Sequence, residues 1–240
     1  MKIISGVYWD QGERNQNQDS LILQQVMTSR GRVVLAAVSD GIGGLKEGEN
    51  ASGYITEKLI ENFYNQMIAL VGKGKGKRAI ERSLMRCFYE INDGLRSYGR
   101  GKDIKLGATI SLLFIWKWNY MIFHLGDSRI YQCGRKGMRL LTRDHSDGGR
   151  GLTKCAGSFP FQPPDICLGR VHKEGGFLLC TDGFYRRIEH EMYKVLAPDD
   201  IAGDEQIARR LRELGMEALK RGEKDNMSAV YLIASERGAA

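Results

Sequence analysis

One buried strand that ends in an acidic, glycine-rich turn constrains this chain more than any other feature. Residues Val33 to Val38 are six consecutive apolar residues, and such a run is typical of a strand buried on both faces. It leads directly into Ser39-Asp40-Gly41-Ile42-Gly43-Gly44, where a carboxylate precedes three glycines in four residues. Asp-Gly pairs are common in hairpin turns, so this motif alone indicates only a turn.

Three more aspartates occupy similar positions beside apolar runs, and they are Asp127, Asp182 and Asp225. Four carboxylates in one place raise one another's pKa values unless a counter-charge is present, and divalent cations would supply it. Because the set offers oxygen ligands and no histidine or cysteine cluster, magnesium or manganese fits better than zinc. The pattern therefore predicts one shared, oxygen-rich metal site.

The spacing of apolar residues predicts an α+β protein in which antiparallel sheets are covered by helices. The predicted helices are Glu49 to Leu70, Ile80 to Leu95, Phe184 to Leu196 and Glu205 to Arg221. Four short runs from Gly107 to Leu141 predict an antiparallel meander, and Thr142 to Glu174 is predicted to be irregular. Since no linker or repeat divides the chain, residues 1–236 are predicted to form a single domain.

Composition narrows the class of protein. The 240 residues contain five scattered cysteines without a Cys-x-x-Cys pair, which argues against a disulfide framework. No apolar run approaches the roughly 18 residues of a membrane span, and the N-terminus lacks a signal-peptide core, so a cytoplasmic protein without a membrane partner is expected. The net charge of +7 permits an acidic partner, but the tract Lys73 to Arg78 contains no aromatic residue and is interpreted as a solvated loop.

Six motifs in a fixed order resemble those of a known family. They are Arg14 with Asn17-Gln18-Asp19, Ser39 to Gly44, Gly107-Ala108-Thr109, Gly126 to Arg129, Thr181-Asp182-Gly183 and Asp225-Asn226. Together they span nearly the whole chain, which resembles the metal-dependent protein phosphatases of type 2C, the PPM family, in a compact form like that of bacterial members. The resemblance implies a four-layer αββα sandwich, with two central antiparallel sheets flanked by antiparallel helix pairs.

The resemblance also implies a site centred on two manganese or magnesium ions. Asp40 is expected to bridge both ions, and the Gly41 carbonyl to bind one of them. Asp182 and Asp225 are expected to bind the other ion, and Asp127 to bind a third, weaker metal. Such a pair of ions lowers the pKa of a bridging water, and the resulting hydroxide attacks phosphorus directly.

Two further residues complete the implied site. Asp19 is expected to hold a metal-bound water, and the Arg14 guanidinium to pair with phosphate oxygens. The implied protein is a serine/threonine protein phosphatase in signalling, which acts as a monomer on proteins phosphorylated by a serine/threonine kinase. Nucleic acid is not an expected partner.

Three departures from the family pattern bear on activity. Gln18 stands where the family usually has glutamate, which removes a charge near one metal. Ile42 stands where many eukaryotic members have a histidine proposed as general acid, which leaves a metal-bound water or His145 as candidate proton donors. The regulatory flap that normally separates Leu141 to Ser146 from Gly151 to Gly157 is largely missing, which predicts a more open site.

Two other interpretations stay open at this point. A pseudophosphatase, or scaffold, would keep the fold and bind phosphoproteins without turnover, and Gln18 and the reduced flap motivate it. A basic nucleic-acid-binding protein rests only on the net charge and the lysine-rich tract.

Overall fold

The computed structural model describes residues 1–42, 47–148 and 151–236. The strands are β1 (Lys2–Asp10), β2 (Asp19–Thr28), β3 (Gly31–Asp40), β4 (Ile110–Trp116), β5 (Asn119–Leu125), β6 (Arg129–Gly134), β7 (Gly137–Leu140), β8 (Asp165–Arg170), β9 (Gly175–Cys180) and β10 (Met227–Ser235). The helices are α1 (Gly48–Asn62), α2 (Ile68–Gly72), α3 (Lys77–Lys102), α4 (Asp182–Tyr185), α5 (Glu189–Leu196) and α6 (Asp204–Lys220). A π-helical turn at Phe63–Met67 joins α1 to α2, and a short 3-10 helix covers Pro198–Asp200.

Two five-stranded sheets form the centre of the molecule. One has the strand order β2-β3-β4-β5-β8 and the other β1-β10-β9-β6-β7, and the neighbouring strands are antiparallel throughout. Every residue of β3 from Val33 to Ser39 is buried, as the apolar run predicted. The strand that carries Asp40 therefore lies between two neighbours inside its sheet.

The side chains of each sheet alternate between its two faces, and this creates three hydrophobic layers. Between the sheets, Val34 and Val38 of β3 lie in one core with Leu179 of β9 and Val230 of β10. The outer face of one sheet packs against α1 and α3, and that of the other against α5 and α6. The α+β class and the four-layer arrangement are thereby confirmed.

Two local predictions were wrong. The four strands β4 to β7 do not form one meander, because the hairpin β4-β5 belongs to one sheet and β6-β7 to the other. The chain crosses between the sheets at Gly126. Its φ is +107°, a value that glycine adopts without steric cost because it has no Cβ. Strand β8 lies inside the segment predicted as irregular. It is an edge strand with mostly exposed side chains, so its hydrophobic pattern is weak.

A third prediction needs a smaller correction. The helix predicted over Phe184 to Leu196 is divided into α4 and α5, because Ile188 leaves helical geometry with φ of −131° and ψ of 5°. The loop prediction for the lysine-rich tract holds for Lys73 to Gly76, which are exposed, whereas Lys77 begins α3. In the part of the chain that the structure describes, no helix has both the length and the apolar character to span a membrane.

Candidate metal centre

The pairing of β2 with β3 brings two aspartates together. Asp19 and Asp40 are direct cross-strand partners at the end of this hairpin. Because directly opposed residues in an antiparallel pair point to the same face, both carboxylates lie on one side of the sheet. Thr109 holds the end of β3 in place, since its hydroxyl accepts a hydrogen bond from the Asp40 N–H at 2.9 Å and its own N–H donates to the Asp40 carbonyl at 2.9 Å.

Asp182 and Asp225 approach from the other sheet. Asp182 follows β9, Asp225 precedes β10, and these two strands are neighbours. Gly183 allows the two segments to come close. A Cβ at this position would lie 2.2 Å from the Asn226 carbonyl oxygen and 3.1 Å from the Asp225 Cβ. Only glycine fits this contact without a movement of the backbone.

Asp127 reaches the same place from the crossover between the sheets. It follows Gly126, where a Cβ would lie 2.5 Å from the Thr109 side chain. The Tyr185 hydroxyl donates to the Asp127 carbonyl at 3.1 Å and holds the crossover against α4. Burial, followed by the charge of Asp182, raises the pKa of the Asp127 carboxyl to about 6.

A cleft of about 130 Å³ lies where these segments meet. The residues around it are Asp40, Gly41, Asp127, Asp182 and Asp225, with Arg14, Gln18, Ile42, Thr109, Leu152 and Asn226. The structure therefore places five of the predicted metal ligands and the predicted phosphate ligand at one cleft. Asp19 does not line it and is only 3% exposed. Gly43 and Gly44, the last residues of the first motif, lie outside the described residues.

The buried Asp19 carboxylate is only partly satisfied. Its Oδ2 accepts a hydrogen bond from the Thr181 hydroxyl at 2.8 Å, whereas its Oδ1 is buried without a partner among the described residues. Burial raises the pKa of Asp19 to about 7, and the nearby hydroxyls of Ser228 and Thr181 oppose this rise. A buried carboxylate oxygen without a donor is costly. A water held by a neighbouring metal ion would supply the missing donor, which fits the role predicted for Asp19.

The carboxylates of the cleft also lack sufficient counter-charge. Burial, and then the charges of Asp19 and Asp182, raise the pKa of Asp40 well above its usual range. As the side chains stand, no group of three His, Cys, Asp or Glu among the described residues is arranged to hold a metal ion. Asp182 is instead paired with Arg186, and Asp225 with Arg14 at 2.8 Å. The donor set of carboxylates and one backbone carbonyl nevertheless suits a hard divalent ion, which would take over the charge compensation from the arginines.

Asn226 positions the loop that carries Arg14, a role that sequence reasoning did not assign. Its side-chain amide donates to the carbonyls of Gln11 and Gln16, at 2.8 and 3.1 Å, and its Oδ1 accepts from the Gln18 N–H at 2.8 Å. This loop, residues 11–18 and called the polar loop here, is thereby tied to the start of β10. The only signal in the sequence was the position of Asn226 directly after Asp225.

Arg186 is a second residue that sequence reasoning missed. It lies four residues after Asp182, a spacing that places the two side chains on one helical face and could have indicated the pair. Arg186 also lies 3.8 Å from the carboxylate of Glu223, which is 4% exposed. A cationic side chain thus lies beside the predicted ligand Asp182.

Gln18 has a charged neighbour in the structure. Its amide nitrogen donates to the Glu49 carboxylate at 3.4 Å, and its side chain packs on Gly48. Glu49 therefore brings a carboxylate close to the position where the family pattern has its glutamate. Glutamine at position 18 removes one carboxylate from this corner of the site, but Glu49 still supplies another.

The contact predicts how the protein responds to Gln18→Glu. Two carboxylates would face each other, so we expect the metal-free protein to lose about 1 kcal/mol of unfolding free energy. Added manganese should then raise the midpoint of thermal unfolding more than in the parent protein. Gln16→Glu, an exposed change in the same loop, is the control. Equal stability of Gln18→Glu and the parent in chelator would contradict the expectation.

His145 does not face the cleft. Its ring is 7% exposed, its Nδ1 accepts from the Gly126 N–H at 3.1 Å, and its Nε2 contacts Asp165 at 3.1 Å. The ring stacks on His124 with a centroid distance of 4.9 Å. His145 therefore positions the turn before Asp127, and the geometry does not favour it as the proton donor.

His124 predicts a pH dependence of stability. Burial, and then the charge of His145, lower the pKa of His124 to about 4 from its usual 6.5. The folded state therefore binds fewer protons than the unfolded state between these values, so this contribution to stability is lost as the pH falls from 6.5 to 4. The full loss is about 3 kcal/mol.

Denaturant unfolding of the parent protein and His124→Gln at several pH values measures this contribution. The carboxylates of the cleft titrate alike in both proteins, so the difference between the two stabilities isolates the histidine. We expect the difference in unfolding free energy between the parent and His124→Gln to shrink as the pH falls from 7 to 4. A difference that stays constant would show that His124 is not the group responsible.

Residues 141–164, between β7 and β8, include the place where the family pattern has its flap. Isolated bridges join Ala156 to Ala108 and Leu152 to Ser146, and Leu152 reaches the wall of the cleft. In its described residues this segment contains no helix. The hypothesis of a more open site rests on this segment.

Comparison with known proteins gives a consistent result. The family model described as protein phosphatase 2C matches residues 11–229. A putative protein phosphatase of Mycoplasma genitalium is 21% identical over 224 residues, which cover 83% of this chain and 84% of the relative. A serine/threonine phosphatase stp of Listeria innocua is 28% identical over 135 residues, 55% of this chain and 50% of the relative.

Solved structures share the fold. The serine/threonine phosphatase Stp1 of Staphylococcus aureus superposes with a TM-score of 0.82 at 22% identity, over 99% of this chain and 96% of that one. The catalytic domain of the phosphatase PstP, in complex with two manganese ions, has a TM-score of 0.76 at 22% identity, over 98% and 99% of the two chains.

Proposed function

The chain belongs to the protein phosphatase 2C family, and from this premise we propose that it is a metal-dependent phosphatase of phosphoserine and phosphothreonine in proteins. One observation carries the proposal. Asp40, Asp182 and Asp225 lie at strand ends of two different sheets, Asp127 lies in the crossover between these sheets, and all four line one cleft that also contains Arg14. Carboxylates and an arginine together suit an anionic phosphate held through divalent cations.

The proposed ligands of two manganese or magnesium ions are Asp40, the Gly41 carbonyl, Asp182 and Asp225, with Asp127 for a third ion. When bound, such ions lower the pKa of water enough to make hydroxide available near neutral pH, and they neutralise charge on the phosphate. Asp19 would orient the attacking water through its Oδ1, which has no partner among the described residues. We propose direct attack by water on phosphorus, without a phosphoenzyme.

Arg14 is proposed to bind the phosphate. Its side chain is 53% exposed and its only ion pair among the described residues is with Asp225 at 2.8 Å. A metal ion on Asp225 would release the guanidinium, which can then form two parallel hydrogen bonds with phosphate oxygens. These bonds strengthen as negative charge develops in the transition state.

The proposed substrates are proteins that a serine/threonine kinase has phosphorylated. The small cleft has room for a phosphorylated side chain, so such residues in exposed segments are favoured. We also propose that residues 1–236 form a single domain that acts as a monomer in the cytoplasm. The cysteines are all free, which agrees with a reducing compartment.

Hydrolysis of p-nitrophenyl phosphate and a phosphothreonine peptide tests the proposal. Both are assayed with manganese, with magnesium and with chelator, for the parent protein and for Asp182→Asn. Asp200→Asn, at an exposed aspartate outside the cleft, is the matched control. We expect turnover that needs metal and that only Asp182→Asn abolishes. Manganese binding by calorimetry without turnover under any condition would instead favour the scaffold interpretation.

A further inference from the structure

A second concave surface adjoins the cleft. It has a volume of about 580 Å³, and Ile42 lines both it and the cleft. The Ile42 N–H donates to the Gly107 carbonyl at 3.0 Å, and isolated bridges link Gly41 to Ala108 and Ala108 to Ala156. The backbone that carries the proposed ligand Gly41 therefore continues into the floor of this surface. A chain bound at the cleft can extend into it.

This surface is called the basic groove here because of the charges in its wall. Arg96, Arg100 and Lys105 line it, against the single aspartate Asp103. Within residues 1–42, 47–148 and 151–236, none of the three cations forms an ion pair. Their charge is therefore available to a ligand, and it attracts acidic groups.

An exposed aromatic residue stands at the same groove. Phe159 is 78% exposed, and the Arg96 guanidinium lies over its ring at 4.1 Å. The loop before it is held by Asn92, which is 1% exposed, accepts from the Gly157 N–H at 2.8 Å and donates to the Ser158 carbonyl at 3.4 Å. An aromatic residue and an arginine on a preformed surface are typical of binding sites.

We propose that the basic groove binds the segment of a phosphoprotein that flanks the phosphorylated residue, and that it selects acidic flanks. This inference rests on the proposed phosphatase function of the adjoining cleft. At about 130 Å³ the cleft is smaller than ordinary ligand pockets, which measure about 300–1,000 Å³. The cleft alone therefore offers little surface on which one phosphorylated segment can be distinguished from another, and the adjoining groove adds to it.

Three phosphothreonine peptides that differ only in acidic, uncharged or basic flanks test the proposal. We expect kcat/KM of the parent protein to be about tenfold higher for the acidic than for the uncharged peptide at low salt, mainly through KM, and to fall with ionic strength. The triple variant Arg96→Gln, Arg100→Gln, Lys105→Gln should lose this ratio. A triple variant with the same loss of charge, Lys73→Gln, Lys75→Gln, Arg78→Gln, should keep it.

Two readouts separate this inference from the proposed function. Turnover of p-nitrophenyl phosphate reports on the cleft alone, because this substrate has no flanking residues. Fluorescence anisotropy of the three labelled peptides reports on binding, whether or not turnover occurs. Equal binding and equal kcat/KM for the three peptides, or a preference that survives in the groove variant, would overturn the groove assignment while p-nitrophenyl phosphate turnover persists. Absent turnover with selective binding of the acidic peptide would overturn only the proposed catalysis.

Discussion

Asp40→Asn is expected to abolish phosphatase activity and, in chelator, to stabilise the folded protein. Asparagine keeps the shape of the side chain and leaves the backbone hydrogen bonds to Thr109 in place. It removes a carboxyl group whose pKa is raised well above the usual range, first by burial and then by the charges of Asp19 and Asp182. Loss of the ligand that we propose is shared by two ions should cost at least about a thousandfold in kcat/KM, or about 4 kcal/mol.

The stability of the metal-free protein should change in the opposite direction. Removal of a poorly compensated buried charge is expected to add about 1–3 kcal/mol to the free energy of unfolding. For a chain of this size that raises the unfolding midpoint by about 2–4 °C per kcal/mol. Manganese should raise the midpoint of the parent by several degrees and that of Asp40→Asn far less. A variant that is less stable than the parent in chelator would contradict this account of the cleft.

The same carboxylates predict that the stability of the metal-free protein, measured in chelator, depends on pH. An aspartate with a raised pKa keeps its proton in the folded state when the unfolded state has already lost it. Stability from this source is therefore present at low pH and is lost as the pH rises from the usual 3.8 to the value of about 7 reached by Asp19. Asp40→Asn should flatten the profile, and bound manganese should remove most of this loss in the parent.

Gly183→Ala is expected to damage both stability and activity. The new Cβ would lie 2.2 Å from a backbone oxygen of Asn226, so the segment after β9 or the start of β10 must move. Overpacking of this kind costs about 1–3 kcal/mol. Since Asp182 and Asp225 lie on the two segments that separate, metal affinity should fall as well, and a displacement of about 1 Å at such a site can cost about a hundredfold in rate.

Gly53→Ala is the matched control for this substitution. Gly53 lies inside α1 and a Cβ there meets nothing within 4 Å, so alanine should stabilise the protein by up to about 1 kcal/mol through helix propensity. Denaturant unfolding and manganese titration by calorimetry compare both variants with the parent. Normal manganese affinity in Gly183→Ala would show that the close approach of the two segments is not needed for the metal site.

Much of the fold and of the candidate site could be predicted from local patterns. The apolar run from Val33 to Val38 predicted a buried strand, and helical spacing predicted α1, α3 and α6, all of which the structure contains. The motifs around Asp40, Asp182 and Asp225 were recognised because each combines a strand end with residue types that suit metal binding. The roles of these residues stay predictions until the variants are measured.

The features that were missed depend on contacts between distant segments. Strand β8 is an edge strand, so only pairing with β5 shows that it is a strand. The division of β4 to β7 between two sheets depends on the backbone of Gly126, and the tie between Asn226 and the polar loop joins residues about 210 positions apart. No local periodicity encodes these contacts.

The sequence by itself determined most of the strands and helices and which carboxylates end up at strand ends, because burial patterns and turn residues act over a few positions. Only the tertiary structure decided that these carboxylates meet. The register of β2 on β3 places Asp19 beside Asp40, and the packing of Val34 and Val38 against the other sheet brings the ends of β9 and β10 to the same edge. That arrangement depends on how two hydrophobic faces fit together, and a repulsive cluster of aspartates at their edge is held in place by the stability of the whole sandwich.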